Sequence, residues 1–234
     1  MRGRVTLVRH GQSTWNAEGR MQGSSDVSVL TAKGEAQARE AAGLLSGVDF
    51  DALFRSPLQR ASVTADVVWG TRTGPVRDLW ALREIDLYCF QGMLKDEGLA
   101  QYPDAYAAWK RDPAGCALPD ERGELHYPVR ELWDRGHVAW REVLAGAPQG
   151  PTGVHILVVA HNAILQAMLC AALGLPPTAF RTFKLSNAGY STLDVAWDPQ
   201  RVGDPAADLL DAAQFTVLNV NVTARGSIPD DAGY

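Results

Sequence analysis

Several things are scarce in this sequence, and each scarcity narrows the function. The 234 residues include only three cysteines, Cys89, Cys116 and Cys170. They form no C-x-x-C pair and share no metal-ligand spacing with a histidine, so three reduced thiols are the simplest reading. No run approaches the ~20 consecutive apolar residues of a membrane-spanning helix. Cations are outnumbered, 22 Lys and Arg against 27 Asp and Glu, for a formal net charge of −5. A nucleic-acid binder needs a basic face, so that class recedes. A small anion is still compatible, because the local field decides its binding. No internal repeat is visible, and no carboxylate cluster asks for a metal. The first apolar run begins within a few residues of Met1, so no signal or transit peptide is expected within the chain.

What is present is a globular composition, 46% hydrophobic and 21% charged, in an alternating pattern. Apolar runs at 5–8, 52–54, 75–79, 155–160, 189–197 and 214–220 predict strands. Between them, 32–45 reads as a helix capped by Thr31, and Ser56-Pro57 reads as the start of a helix reaching Trp69. Two helical stretches fall within 99–144. A further helix over 163–173 stops at Gly174 and Pro176-Pro177. Strand–helix alternation with buried strands predicts a three-layer αβα sandwich with a mostly parallel central sheet. Residues 1–223 are expected to be one domain, with 88–150 a helical cap over the site and 224–234 a polar, mobile tail.

In such sheets ligands bind beyond the carboxyl ends of the strands. Here the strand at 5–8 runs into Arg9-His10. The strand at 52–54 leads to Ser56 and, a helical turn later, Arg60. The strand at 155–160 ends in His161-Asn162. Alone, each has an ordinary explanation: a capped histidine, a surface arginine. Two histidines and two arginines converging on one edge describe an anion site with a nucleophile in it. His126, His137 and His155 have no such company.

Six blocks, RHGQSTWN (9–16), RMQGSSD (20–26), LTAKGEAQA (30–38), SPLQRA (56–61), LREID (82–86) and VVAHN (158–162), resemble the histidine phosphatase superfamily, in its phosphoglycerate-mutase-like branch. The resemblance implies that His10 attacks phosphorus and becomes phosphohistidine. Arg9, Arg60 and His161 would bind the phosphoryl oxygens. Glu84 would protonate the leaving oxygen and then activate water; Asp86 and Glu97 are rival acids. Asn16, Gln22 and Gly23 would close the phosphate pocket, and a backbone donor at Gly11 would orient the imidazole. No metal and no other cofactor is implied.

After the acid the chain reads E-I-D-L-Y-C-F-Q-G. Tyr88, Phe90 and Gln91 stand where many broad phosphatases of the family carry glycine, tryptophan and glutamate, and Asn162 stands where glycine is common. Lys95, Lys110 and Arg111 resemble the cations that hold the substrate carboxylate in phosphoglycerate mutases. These segments are similar to plant and algal phosphatases of 2-carboxy-D-arabinitol 1-phosphate, a sugar acid that inhibits Rubisco. The expected function is a metal-independent phosphatase of such an ester. The alternatives are a phosphoglycerate mutase and a non-catalytic module that binds phosphate esters. The expected partner is a small phosphate ester, with no nucleic acid or membrane, and any assembly would be a homodimer. The expected compartment is the chloroplast stroma in a plant or alga and the cytoplasm in a bacterium.

Overall fold

A computed structural model describes residues 1–150 and 153–224; almost all of the 224–234 tail lies outside the described residues. A six-stranded sheet runs in the order β3 (Val76–Asp78), β2 (Ala52–Arg55), β6 (Val154–Ala160), β1 (Arg2–Arg9), β7 (Tyr190–Trp197), β8 (Ala213–Val222). β3, β2, β6 and β1 pair parallel, and β7 and β8 join antiparallel at one side.

β3 at the edge is exposed, but β2, β6 and the second half of β1 are buried on both faces, and their period-two alternation sorts side chains between two cores. Val5, Leu7, Ala52, Phe54, Ile156, Val158 and Ala160 enter the larger core with α6 (Pro128–Ala145) and α7 (Asn162–Ala172). Val8, Leu53, Leu157 and Val159 enter the other, against α2 (Ala32–Leu44) and α3 (Gln59–Trp69). That is the αβα sandwich expected. Every residue of α7 is buried, so this helix packs on all sides. No described helix is long and apolar enough to cross a membrane.

The differences from the sequence reading are local. β1 and β8 are longer than their apolar runs, because pairing continues through polar residues. The 99–144 segment contributes to three helices rather than two: α4 (Lys95–Gln101), α5 (Pro103–Arg111) and α6. Between α5 and α6 lies a small hairpin of β4 (Leu118–Pro119) and β5 (Leu125–His126). A short helix, α1 (Thr14–Glu18), follows the RHG turn, capped by Ser13 with Asn16 reciprocating. α3 does not begin at Ser56; its N-cap position is Leu58, with no side-chain cap. The Ser56 hydroxyl is engaged elsewhere.

Candidate active site

Backbone pairing assembles the site. In the parallel register Arg9 lies beside Ala160 and Arg55 beside Val159. The next residues continue it: His10 N–H donates to the Ala160 carbonyl and Ser56 N–H to the Val159 carbonyl, both at 3.0 Å. Three strands thus deliver His10, Ser56 and His161 to one sheet edge. Arg9, His10, Arg60, Glu84 and His161 are all buried.

The His10 ring is fixed by its own turn. Nδ1 lies 2.7 Å from the Gly11 carbonyl, which can only accept, so Nδ1 carries the proton and Nε2 keeps its lone pair. The orienting group is therefore a carbonyl acceptor, not the backbone donor expected at Gly11; the Gly11 N–H instead donates to Thr64 Oγ1 at 3.2 Å. Gly11 is required by proximity: a Cβ there would sit 2.2 Å from the Gly34 carbonyl oxygen in the first turn of α2. Burial first, then the charges of Arg60 and Arg9, hold the His10 pKa well below that of a free imidazole. The His10 imidazole is thus neutral at physiological pH.

His161 lies edge-on to His10, ring centroids 5.0 Å apart. Its Nε2 is 2.7 Å from Ser56 Oγ, while its buried Nδ1 has no partner among the described residues. Ser56 Oγ also accepts from the Leu58 N–H. With the serine proton on His161 Nε2, the ring's own proton would sit on Nδ1. Burial, then Arg60 and His10, lower the His161 pKa also.

Arg60 is held by two backbone acceptors: Nη1 donates to the Ser25 carbonyl at 2.6 Å and Nη2 to the Gly23 carbonyl at 3.0 Å. Gly23 adopts φ +56°, a left-handed conformation that suits glycine. Arg9 Nη1 donates to the Leu185 carbonyl at 2.6 Å. Gln22 is buried and bonded to the Ser13 hydroxyl. Asn16 uses its oxygen to accept from Ser13 N–H and Asn187 Nδ2, so its amide nitrogen is what remains for a ligand. Asn162 is turned along α7, its oxygen accepting from Gln166.

Glu84 occupies the start of α7, a helix without a side-chain cap of its own. Its carboxylate accepts from Ala163 N–H at 3.1 and 3.2 Å and from Ile164 N–H at 3.2 Å. The Ile85 N–H adds a fourth contact at 2.9 Å. Main-chain N–H groups at the start of α7 and at Ile85 thus hold the Glu84 carboxyl group beside His161. Its rival Asp86 receives Ser24 and Arg83, and Glu97 caps α4 through the Leu94 N–H.

Beside this floor lies a cleft of about 480 Å³ lined by Ser24, Asp86, Tyr88, Gln91, Tyr102 and the 120–122 turn, among others. Tyr88 takes φ +45°, stacks on His126 with centroids 4.1 Å apart and donates its hydroxyl to Glu131. Burial and Glu131 push its phenol well above the ordinary value. Gln91 Oε1 accepts the Ser24 N–H at 3.0 Å. Lys95 is half-buried at the start of α4, and Lys110 and Arg111 are exposed at the end of α5. None of the three lines the cleft, whose cation is Arg122. Among the described residues one trio could hold a metal, Asp120, Glu124 and His126 on the cap hairpin.

Three contributors were not singled out from the sequence. Ser56 was read as a helix cap. Thr64 ties Gly11 to the Arg60 carbonyl. Asn187 donates to the His10 carbonyl at 3.1 Å. Its signal was topological: an antiparallel β7 beginning at Tyr190, opposite Val8, returns its preceding residues to the edge where β1 ends.

Two arginines, two histidines and a carboxylate gathered at the carboxyl edge of a parallel sheet define an α/β protein with a buried, cation-rich site. The chain belongs to the histidine phosphatase superfamily (branch 1), whose family model matches residues 5–203. It is 48% identical over 213 residues to the 2-carboxy-D-arabinitol-1-phosphatase of Triticum aestivum, covering 91% of this chain and 41% of that one. It thus spans about two fifths of that relative's length. It is 33% identical over 190 residues to the probable phosphoglycerate mutase GpmB of Salmonella typhi, covering 81% and 84% of the two chains. The mycobacterial glucosyl-3-phosphoglycerate phosphatase structure superimposes with a TM-score of 0.76 at 25% identity, over 94% of this chain and 100% of that one.

Proposed function

We propose that this protein hydrolyses phosphate monoesters through a phosphohistidine. Its substrate class is a phosphorylated sugar acid, of which 2-carboxy-D-arabinitol 1-phosphate is the leading member. The observation that carries the reaction type is the His10 lock: Nδ1 on the Gly11 carbonyl leaves Nε2 as a neutral nucleophile amid Arg9, Arg60 and His161. Nε2 attacks phosphorus, the P–O ester bond breaks, and the leaving oxygen takes a proton from Glu84. Glu84 then accepts a proton from the water that cleaves the P–N bond, releasing inorganic phosphate. Charge spreads over three phosphoryl oxygens in each transition state, where fixed cations and donors lower the barrier. The residues supply this stabilisation without a metal.

The substrate class rests on the 48% identity to the wheat enzyme across nearly the whole chain. Resemblance to a probable phosphoglycerate mutase supports a second reading. The test is a panel of esters ranked by kcat/KM: carboxyarabinitol 1-phosphate, xylulose 1,5-bisphosphate, 2,3-bisphosphoglycerate, fructose 2,6-bisphosphate and 3-phosphoglycerate. Sugar-acid phosphate at the head supports the proposal. Interconversion of phosphoglycerates faster than hydrolysis replaces it with the mutase reading. Binding without turnover would leave only a phosphate-ester-binding module. The compartment follows the source, the chloroplast stroma for a plant or alga and the cytoplasm for a bacterium.

A further inference from the structure

Arg135, in the middle of α6, turns its guanidinium to the backbone of Arg83 and Glu84. Nη1 donates to the Arg83 carbonyl at 2.9 Å and Nη2 to the Glu84 carbonyl at 2.8 Å. Nη2 also lies 3.8 Å from Asp86 Oδ2. Its side chain is only 17% exposed, and the charges facing it are Asp86, Glu84 and Arg83, with His161 also within its field. Burying a guanidinium costs free energy unless its donors are matched. Here the planar fork meets two consecutive carbonyls, a geometry that suits arginine and no other side chain.

These contacts complete a two-ended mount. The Glu84 carboxylate is fixed by the start of α7, and the Glu84 main chain by α6. The 83–86 segment is held besides by the Arg83 N–H on the Trp80 carbonyl at 3.2 Å and by the buried Ile85 side chain, but it is Arg135 that grips the Glu84 carbonyl. Asp86, at the far end, also receives Ser24 on the cleft wall. One cation therefore braces the acid, its flanking loop and the rim that receives the leaving group.

We propose that Arg135 is a positioning residue for leaving-group protonation: it holds Glu84 where its proton reaches the ester oxygen. The inference rests on the phosphatase reading and on Glu84 as its acid. It predicts a defect that scales with the leaving group's need for a proton. A nitrophenolate leaves without one; phenolate and alkoxide do not.

The experiment measures kcat/KM, which reports phosphohistidine formation, along a series of p-nitrophenyl, phenyl and alkyl phosphates. Wild type is compared with Arg135→Met, Arg135→Lys and Glu84→Gln. Glu84→Gln is expected to raise the nitrophenyl-to-alkyl ratio by about 10²-fold, and Arg135→Met by about tenfold. Arg135→Lys, which keeps the charge and a donor, should fall between Arg135→Met and wild type. A uniform loss in Arg135→Met across the series, with Glu84→Gln still selective, makes Arg135 purely structural and overturns the proposal. An unchanged ratio in Glu84→Gln overturns the acid assignment, and the proposal with it. A wild type that turns over no ester refutes the phosphatase reading itself. Arg135→Lys, the milder change, still decides if Arg135→Met fails to fold.

Discussion

The floor of the site and the cap beside it are built differently. On the floor, His10, Arg60, Glu84 and His161 are buried, and each is held by at least one backbone group or a buried hydroxyl. Main chain does not change rotamer, so this geometry is rigid. In the cap, Asp86, Tyr88, Glu131 and Arg122 are partly or largely exposed. They are held by side-chain contacts, such as Tyr88 on Glu131 and the part-buried Arg83 on Asp86, rather than by main chain. On the proposed mechanism the floor carries the reaction, and the more exposed side chains beside it would set the preference among esters.

Substitutions should separate the two. The largest effect belongs to His10→Ala, which should lower turnover by at least roughly 10³-fold on every ester, since the nucleophile is lost. Acid-labile protein-bound phosphate, trapped from wild type and missing from the variant, checks it. A variant that kept its activity would refute the covalent mechanism. Arg60→Ala comes next, with kcat down about 10²–10³-fold, the usual loss for one preorganised donor at a developing oxyanion. Ser56→Ala should cost about tenfold in kcat, as His161 loses the bond that sets its tautomer. If Ser56 were only a helix cap, stability would fall and kcat would not.

For the cap the prediction is a change of preference. Arg122→Ala should raise KM for carboxylated esters by about fivefold relative to aryl phosphates, the loss of one partly exposed ionic contact of ~1 kcal/mol. Arg111→Ala, outside the cleft lining, should not alter that ratio. If Arg111→Ala alters it and Arg122→Ala does not, the carboxylate clamp expected from the sequence is the correct one.

The same division explains what could be read from the sequence. β1, β2 and β6 were visible because strands buried on both faces are continuously apolar, and their ends then placed Arg9, His10, Arg60 and His161. The roles of Ser56 and Asn187 were not visible, because each depends on contacts more than 100 residues away in the chain. Ser56-Pro57 is also a good helix-start signal, and tertiary demand for a hydroxyl at His161 overrode it. Lys110 and Arg111 looked like substrate ligands because residue type travels with motif. Which face of α5 they occupy was decided by Trp109, whose ring is buried and rotates its successors outward. The cap's short elements carry little periodicity, so three helices and a hairpin were read as two helices.

The smallest predicted effect concerns pH and contrasts the two ends of the sheet. His10 and His161 at the carboxyl edge, and His155 at the opposite one, are all pushed down by burial, His155 to about 4. An unfolded chain takes up these protons below about pH 6.5 while the folded chain resists them. The unfolded state then binds more protons, so stability rises with pH through that window and declines on acidification. His155→Gln should flatten part of the decline in thermal stability between pH 7 and 5 without moving the pH–rate profile. His10 should set the acid limb of kcat/KM, placing it below the pH of an ordinary imidazole, because the free enzyme must be neutral there. If His155→Gln shifts the rate profile, or the limb sits at the free-imidazole pH, the two ends are not independent and the desolvated nucleophile is misassigned.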